Sequence, residues 1–259
     1  MGGSPNIKMV PDPATFLVLP WAPETAWVMC DLYMTNGQPF PYSPRGILKK
    51  TLQRLSDAGF GMVAGLEMEW YLARIVDDGL GPDADMGSPG NPAPPPIVAP
   101  VSRGYNYLLD SHLDEIDHVV RPLRKALDSM GLPLRSFDDE WAPSQVETTF
   151  DILDALKTAD AAVAFRMAAK QICRRNGHIA SFMTKPAING AYPSGWHLHT
   201  SVYDQESGQN LMVPGDGEVL SELGRHYVGG VLEHAVAASV FTTPTITGYR
   251  RRQPFSLAP

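Results

Sequence analysis

Cysteine is scarce in this 259-residue chain: Cys30 and Cys173 stand alone, far apart and without CxxC spacing. They offer neither a zinc-binding nor a redox signature, and two buried thiols in a cytoplasmic protein are expected. Long apolar runs are also missing, since no stretch approaches the roughly 20 residues that span a bilayer. Residues 1–11 lack a basic start followed by an apolar core, so no signal peptide is read. Positive charge is in short supply, with 21 lysines and arginines against 28 acidic residues and a formal net charge of -7. That balance argues against nucleic acid or an anionic membrane as partner. The dense basic run Arg250, Arg251 and Arg252 is too short to overturn it. No GxxxxGK(S/T) loop occurs, so a user of ATP must hold phosphates with metals and arginines. The GxGxxA match at residues 59–64 follows a predicted helix and runs into a strand. A dinucleotide fingerprint needs the opposite order.

What is present suits a globular core: 44% of residues are hydrophobic and 19% charged. Residues 26–33 (AWVMCDLY) read as a buried strand. Pro44 opens a helix with an apolar stripe of Ile47, Leu48, Leu52 and Leu55, ended by Gly59. In residues 61–73, Leu66, Met68, Trp70 and Leu72 alternate with Glu67, Glu69 and Tyr71, which is a strand with two distinct faces. Residues 77–100 are rich in Gly, Pro and Asp and read as a long surface loop or flap. Helices are expected over 111–130, 151–176 (the longest) and 218–241. Strands are expected over 132–137, 140–150, 178–183 and 196–203. The mixture lacks a βαβ rhythm, so the fold class is α+β on an antiparallel sheet.

Three short patterns carry chemistry. Glu67 and Glu69 sit two apart on a strand and point to one face, roughly 7 Å from each other. Their charges repel and resist desolvation, and a bound cation removes both penalties. Glu140 and Glu147 bracket an irregular segment, EWAPSQVE, bent by Pro143. His197 and His199 share a strand face, and neutral imidazole is a common ligand for divalent metals. Alone, each pattern has a bland reading as a solvated strand face or ordinary histidines. Together they form an oxygen-rich ligand set that suits magnesium or manganese better than zinc, and such sites accompany nucleotide phosphates. A zinc hydrolase built on His197 and His199 is disfavoured by the same count.

In order along the chain, the segments PDPATFLVLPWAPETAWVMCDLY, GLEMEWYL, EWAPSQVE, SFMTKPAINGAYPSGWHLHTSVYD and TGYRRRQPFSLAP resemble the catalytic domain of the glutamine synthetase superfamily. They look closer to the relatives that make γ-glutamyl amides from amines. The resemblance implies a curved antiparallel sheet with flanking helices. It implies that Glu69, Glu140 and Glu147 hold a metal beside the glutamate carboxylate, and that Glu67 and His197 hold a second metal beside the γ-phosphate. His199 and Ser201 fall where the family contacts ATP, and Arg251 where it grips glutamate. Tyr105, in RGYNY, is placed near the ammonium pocket. Tyr192, Gly195 and Leu257 fall among the substrate-binding positions. The implied reaction phosphorylates the γ-carboxylate of glutamate with ATP, and an amine then displaces phosphate.

Two departures bear on the acceptor. Glutamine synthetases carry Asn-Gly where this chain has Tyr192 and Pro193. They carry a mobile glutamate where this chain has Leu257, and a leucine can neither attract ammonium nor accept its proton. An alkyl or aromatic amine, aniline-like, is therefore the expected acceptor. A glutamine synthetase using ammonia and a non-catalytic assembly member are the alternatives. The resemblance further implies that residues 1–259 are part of a catalytic domain, without the small N-terminal β-grasp domain and the segment after Pro259. It implies a ring-like homo-oligomer, dodecameric in the full-length protein, with sites completed by neighbouring subunits and little activity in this piece alone.

Overall fold

A computed structural model describes residues 6–252 and 254. The chain opens with four short strands, β1 (Ile7–Pro11), β2 (Leu17–Leu19), β3 (Ala22–Trp27) and β4 (Cys30–Met34). They form two small antiparallel sheets, β1 with β4 and β2 with β3. The expected buried strand over 26–33 is thus two strands, broken at Val28 and Met29, and none of its residues is fully buried. The apolar run was long enough for one strand, but the chain crosses between two small sheets there. Cys173 is buried as expected, whereas Cys30 is only half-buried.

The first helix, α1 (Pro44–Asp57), begins where Ser43 Oγ accepts from the Gly46 N–H at 3.2 Å, with Pro44 in the first turn. It ends before Gly59, whose φ of +86° suits a residue without Cβ. Then comes β5 (Phe60–Asp77), an 18-residue strand and the axis of the molecule. The long Gly/Pro-rich segment is irregular as expected, but closes with a short strand, β6 (Ile97–Pro100). After it come α2 (Asp110–Ser129), β7 (Leu134–Asp139), β8 (Gln145–Phe150), β9 (Leu153–Asp154), α3 (Ala155–Arg175), β10 (His178–Ser181), β11 (Trp196–Asp204) and α4 (Glu222–Thr242). A 3-10 turn over Ile246–Arg250 follows. Glu140 lies in the β7–β8 connection rather than in the strand expected over 140–150, because Pro143 and Ser144 (φ 68°) turn the chain there. The helix expected over 151–176 begins only at Ala155, after β9, where Asp154 caps it by accepting from Leu156 N–H at 3.1 Å. At 21 residues it ties with α4 in length.

Every pairing in the main sheet is antiparallel, and β5 partners five strands. Glu67 and Met68 pair with β11 and with β8 at once, which places those strands on opposite edges of β5. Alternation along β5 sends Leu66, Met68, Trp70 and Leu72 into the core against α2 and α3. Trp70 is fully buried, stacks on Phe182 at 5.7 Å and donates its indole N–H to Thr148 Oγ1 at 3.0 Å. Each large apolar side chain so buried contributes about 1.5–3 kcal/mol. Glu67 and Glu69 emerge on the opposite face. The core thereby holds the site-bearing strand rigid from behind.

Candidate active site

Register brings the ligand candidates together. His197 stands directly across from Glu67, and Glu147 directly across from Glu69. Residues opposite one another in an antiparallel pair share a sheet face, with Cβ atoms about 5 Å apart. His197 Nδ1 lies 2.7 Å from Glu67 Oε1, and His197 Nε2 lies 4.0 Å from Glu69 Oε1. His199, across from Gly65, reaches diagonally to Glu67 Oε2 at 3.2 Å. Ligand atoms of Glu67, Glu147 and His197 all lie within 4.8 Å of one another. The sequence pairs ExE and HxH are therefore halves of one cluster.

The electrostatics show what such a cluster needs. Burial pushes the Glu147 carboxyl up to about 8, helped by the negative fields of Glu67 and Glu140 and by a hydrogen bond to Glu67. Burial likewise raises Glu69 and Glu140 above the usual carboxylate range. Glu67 moves down: burial opposes ionisation, but its contacts with His197 and His199 outweigh that. Carboxylates this close cannot all ionise without a counter-charge, so the protein by itself stores protons there. A divalent cation would supply that charge. The oxygen-rich donor set fits magnesium or manganese, with Glu67, Glu147 and His197 nearest one another.

Two further features support the cluster, of which the sequence reading missed Gln145 and placed Gly195 only among the substrate-binding positions. Gln145 is buried, donates from Nε2 to Glu69 Oε2 at 2.7 Å, and accepts the Ala142 N–H on Oε1 at 3.1 Å. Its place two residues before Glu147 on β8 was the available signal. Gly195 gives its carbonyl to the Glu69 N–H at 3.2 Å. A Cβ there would stand 2.6 Å from His197 Nε2 and 2.7 Å from Glu69 Oε1, so only glycine leaves this space open.

The other expected positions divide. Arg251, just after the 3-10 turn, is near enough for its charge to act on Glu69. Ser201 follows His199 on β11, where its hydroxyl donates to Asn210 Oδ1 at 2.9 Å. Tyr192 is held through its backbone: the buried Tyr71 hydroxyl donates to its carbonyl at 2.7 Å and accepts from its N–H at 2.8 Å. Tyr105 donates to the Gly190 carbonyl at 3.2 Å. Tyr107, two residues on, is the tyrosine whose hydroxyl feels Glu140, Glu69 and Glu147, though burial is the first cause of its raised titration. Leu257 lies outside the described residues.

Known proteins resemble this chain in sequence and fold. Residues 41–259 match the family described as glutamine synthetase, catalytic domain. The chain is 54% identical over 260 residues to the gamma-glutamylanilide synthase of an Acinetobacter species, covering 100% of this chain and 52% of that protein. It is 31% identical over 249 residues to a glutamate–isopropylamine ligase of a Pseudomonas species, covering 96% of this chain and 52% of that one. The solved apo structure of GmaS without ligand superposes with a TM-score of 0.81 at 29% identity, covering 97% of this chain and 55% of that one. The chain spans about half the length of the curated relatives it matches. On the match over residues 41–259 and the 54% identity over its whole length, the chain belongs to the glutamine synthetase family, within its catalytic domain.

Proposed function

We propose that the full-length protein joins the γ-carboxylate of glutamate to a primary amine at the expense of ATP, through γ-glutamyl phosphate, and that its preferred acceptor is aromatic. The observation that carries this reading is the convergence of Glu67, Glu147 and His197 beside Glu69 on one sheet face. In this reading Glu69, Glu140 and Glu147 hold one divalent ion and Glu67 with His197 a second. Bound there, magnesium or manganese would offset negative charge on the transferring phosphoryl group. His199 and Ser201 contact ATP. Arg251 orients glutamate through its charge, and the space above Gly195 admits it. Residues 1–259 are then part of a catalytic domain that works within a homo-oligomer. The exposed apolar residues of α4, among them Val231, Leu232, Val236 and Phe241, support burial of that helix in the assembled protein.

The aromatic preference rests on chemistry as well as kinship. Ammonia and alkylamines are cations near neutral pH and must lose a proton before they attack. An arylamine delocalises its lone pair into the ring and is already neutral. An enzyme with Leu257 in place of a proton-accepting carboxylate is matched to the neutral nucleophile. The amide named in gamma-glutamylanilide synthase, the 54% identical relative, is of this type.

The test is glutamate-dependent ADP release by the full-length protein with a panel of amines. Aniline and its ring-substituted analogues are expected to lead. Ammonia as best acceptor would overturn the acceptor assignment, and no amine-stimulated release would overturn the ligase. Manganese calorimetry checks the site directly, with binding lost in Glu69→Ala and Glu140→Ala.

A further inference from the structure

We infer that Tyr105, Tyr107, Trp141 and Tyr192 form the seat for the acceptor's aromatic ring, with the amino group turned toward Glu140. This deepens the proposed ligase and rests on it. The four side chains come from three separate segments yet form one connected group. The Tyr105 ring lies 5.9 Å from Trp141 and 5.6 Å from Tyr192, edge-on to the latter, and Tyr107 lies 5.2 Å from Trp141. Such spacings are those of interacting rings, and a flat aromatic guest extends the same pattern.

The group is open to a guest. Tyr105 is 43% exposed and Tyr107 50%, unusual for rings that could have packed inward. It also adjoins the reacting carboxylates. Trp141 follows Glu140 in the chain and donates its backbone N–H to Glu140 Oε2 at 2.8 Å. Tyr107 lies close enough to Glu140, Glu69 and Glu147 to feel all three. A cleft of about 720 Å³ borders the Tyr105 ring, lined in part by Ser102, Arg103, His112 and Gly190. None of the metal-ligand candidates lines it, so it offers a way to the seat that avoids the phosphate side.

The seat is held in place rather than left to loop motion. Asp139, buried in β7, accepts the Leu109 N–H at 3.2 Å and contacts His112 Nδ1 at 3.2 Å, while its carbonyl accepts the Leu108 N–H at 3.0 Å. Gly104 lies flat on Pro143, where a Cβ would come within 2.6 Å of the proline ring. Tyr71 fixes the backbone of Tyr192. A preorganised aromatic wall loses little freedom when it binds, which favours a rigid planar amine over a small or flexible one.

Full-length protein supplied with ATP, magnesium and glutamate is assayed with aniline and with hydroxylamine, which carries no ring. Hydroxamate formation by the parent protein tests the ligase by itself. For the seat, the ratio of kcat/KM for aniline to kcat/KM for hydroxylamine is read in Trp141→Leu and Tyr107→Leu. It is expected to fall tenfold or more in each, mainly through the KM for aniline, and Trp141→Phe is expected to recover most of it. An unchanged ratio, with both acceptors falling together, assigns these rings a structural role and overturns the seat. Should the parent form no hydroxamate, calorimetry of aniline with the same protein decides: binding that Trp141→Leu abolishes supports the seat, and no binding to the parent overturns it.

Discussion

Gly195 shows how a single residue decides whether a ligand cluster is usable. Its missing side chain is the space in which Glu69 and His197 face each other, with a notional Cβ 2.7 Å and 2.6 Å from them. Gly195→Ala must push one or both aside while leaving the core untouched. Manganese affinity is expected to fall at least tenfold, about 1.4 kcal/mol at the site, with the melting temperature of the metal-free protein nearly unchanged. Calorimetry beside thermal denaturation checks both halves, and undiminished affinity would count against the placement. At the same scale, Tyr107 adds to what the motif named. RGYNY contains two tyrosines of equal standing as sequence. Only the structure shows that Tyr105 bonds the Gly190 carbonyl and that Tyr107 feels the charge of Glu140, Glu69 and Glu147.

At the scale of elements, one side chain locks three of them together. Arg45 on α1 bonds Asp12 ahead of the 3-10 turn after β1, Asp31 on β4 and Asp160 on α3, at 2.7, 2.6 and 3.0 Å. Lys49 adds a second contact to Asp31 at 2.6 Å. The guanidinium fork suits several carboxylates at once, and removing it leaves their charges crowded and poorly compensated. Arg45→Met is expected to lower the melting temperature by roughly 5 °C, with Arg45→Lys intermediate, as differential scanning calorimetry would read. A change below one degree would mean that solvent already satisfies the aspartates. Hydrogen bonds to Arg45 hold Asp12 below its usual range, and its contacts with Lys49 and Arg45 do the same for Asp31 against the opposing effect of burial. None of this was legible beforehand, because Asp12, Asp31, Arg45 and Asp160 share no spacing along the chain. The helices and most of the longer strands were legible, because apolar period and the Pro44 and Gly59 punctuation are local.

For the whole molecule, the carboxylate cluster links stability to pH and metal. Glu147 titrates at about 8 in the fold, against an ordinary 4.5. A raised carboxyl binds its proton more tightly when folded. Its stabilising contribution is therefore complete below the ordinary value and is lost as pH rises through about 8. Glu69 and Glu140 are raised in the same sense, while Glu67 is lowered and opposes them. Metal-free full-length protein is expected to melt at lower temperature at pH 8.5 than at pH 6. Magnesium should remove most of that fall by replacing the protons, and Glu147→Gln should flatten it without metal. Melting curves in EDTA and in excess magnesium provide the check. A metal-free melting point that rises with pH would show that the carboxylates do not share charge as the geometry requires. Among the described residues no helix is long and apolar enough to cross a membrane.

By itself the sequence determined the four helices, the two-faced character of β5 and the identity of the ligand candidates, because alternation and helical period are written into neighbouring residues. The ordered motifs also carried the family resemblance, and through Leu257 the expectation about the acceptor. Only tertiary structure decided that Glu67 faces His197, that Glu147 faces Glu69, that Gln145 steadies Glu69, and that three aromatic segments meet beside Glu140. Those facts depend on strand register and on where loops return, which are set by the packing of α2 and α3 against the far side of the sheet. No pattern within a dozen residues records contacts between positions dozens of residues apart.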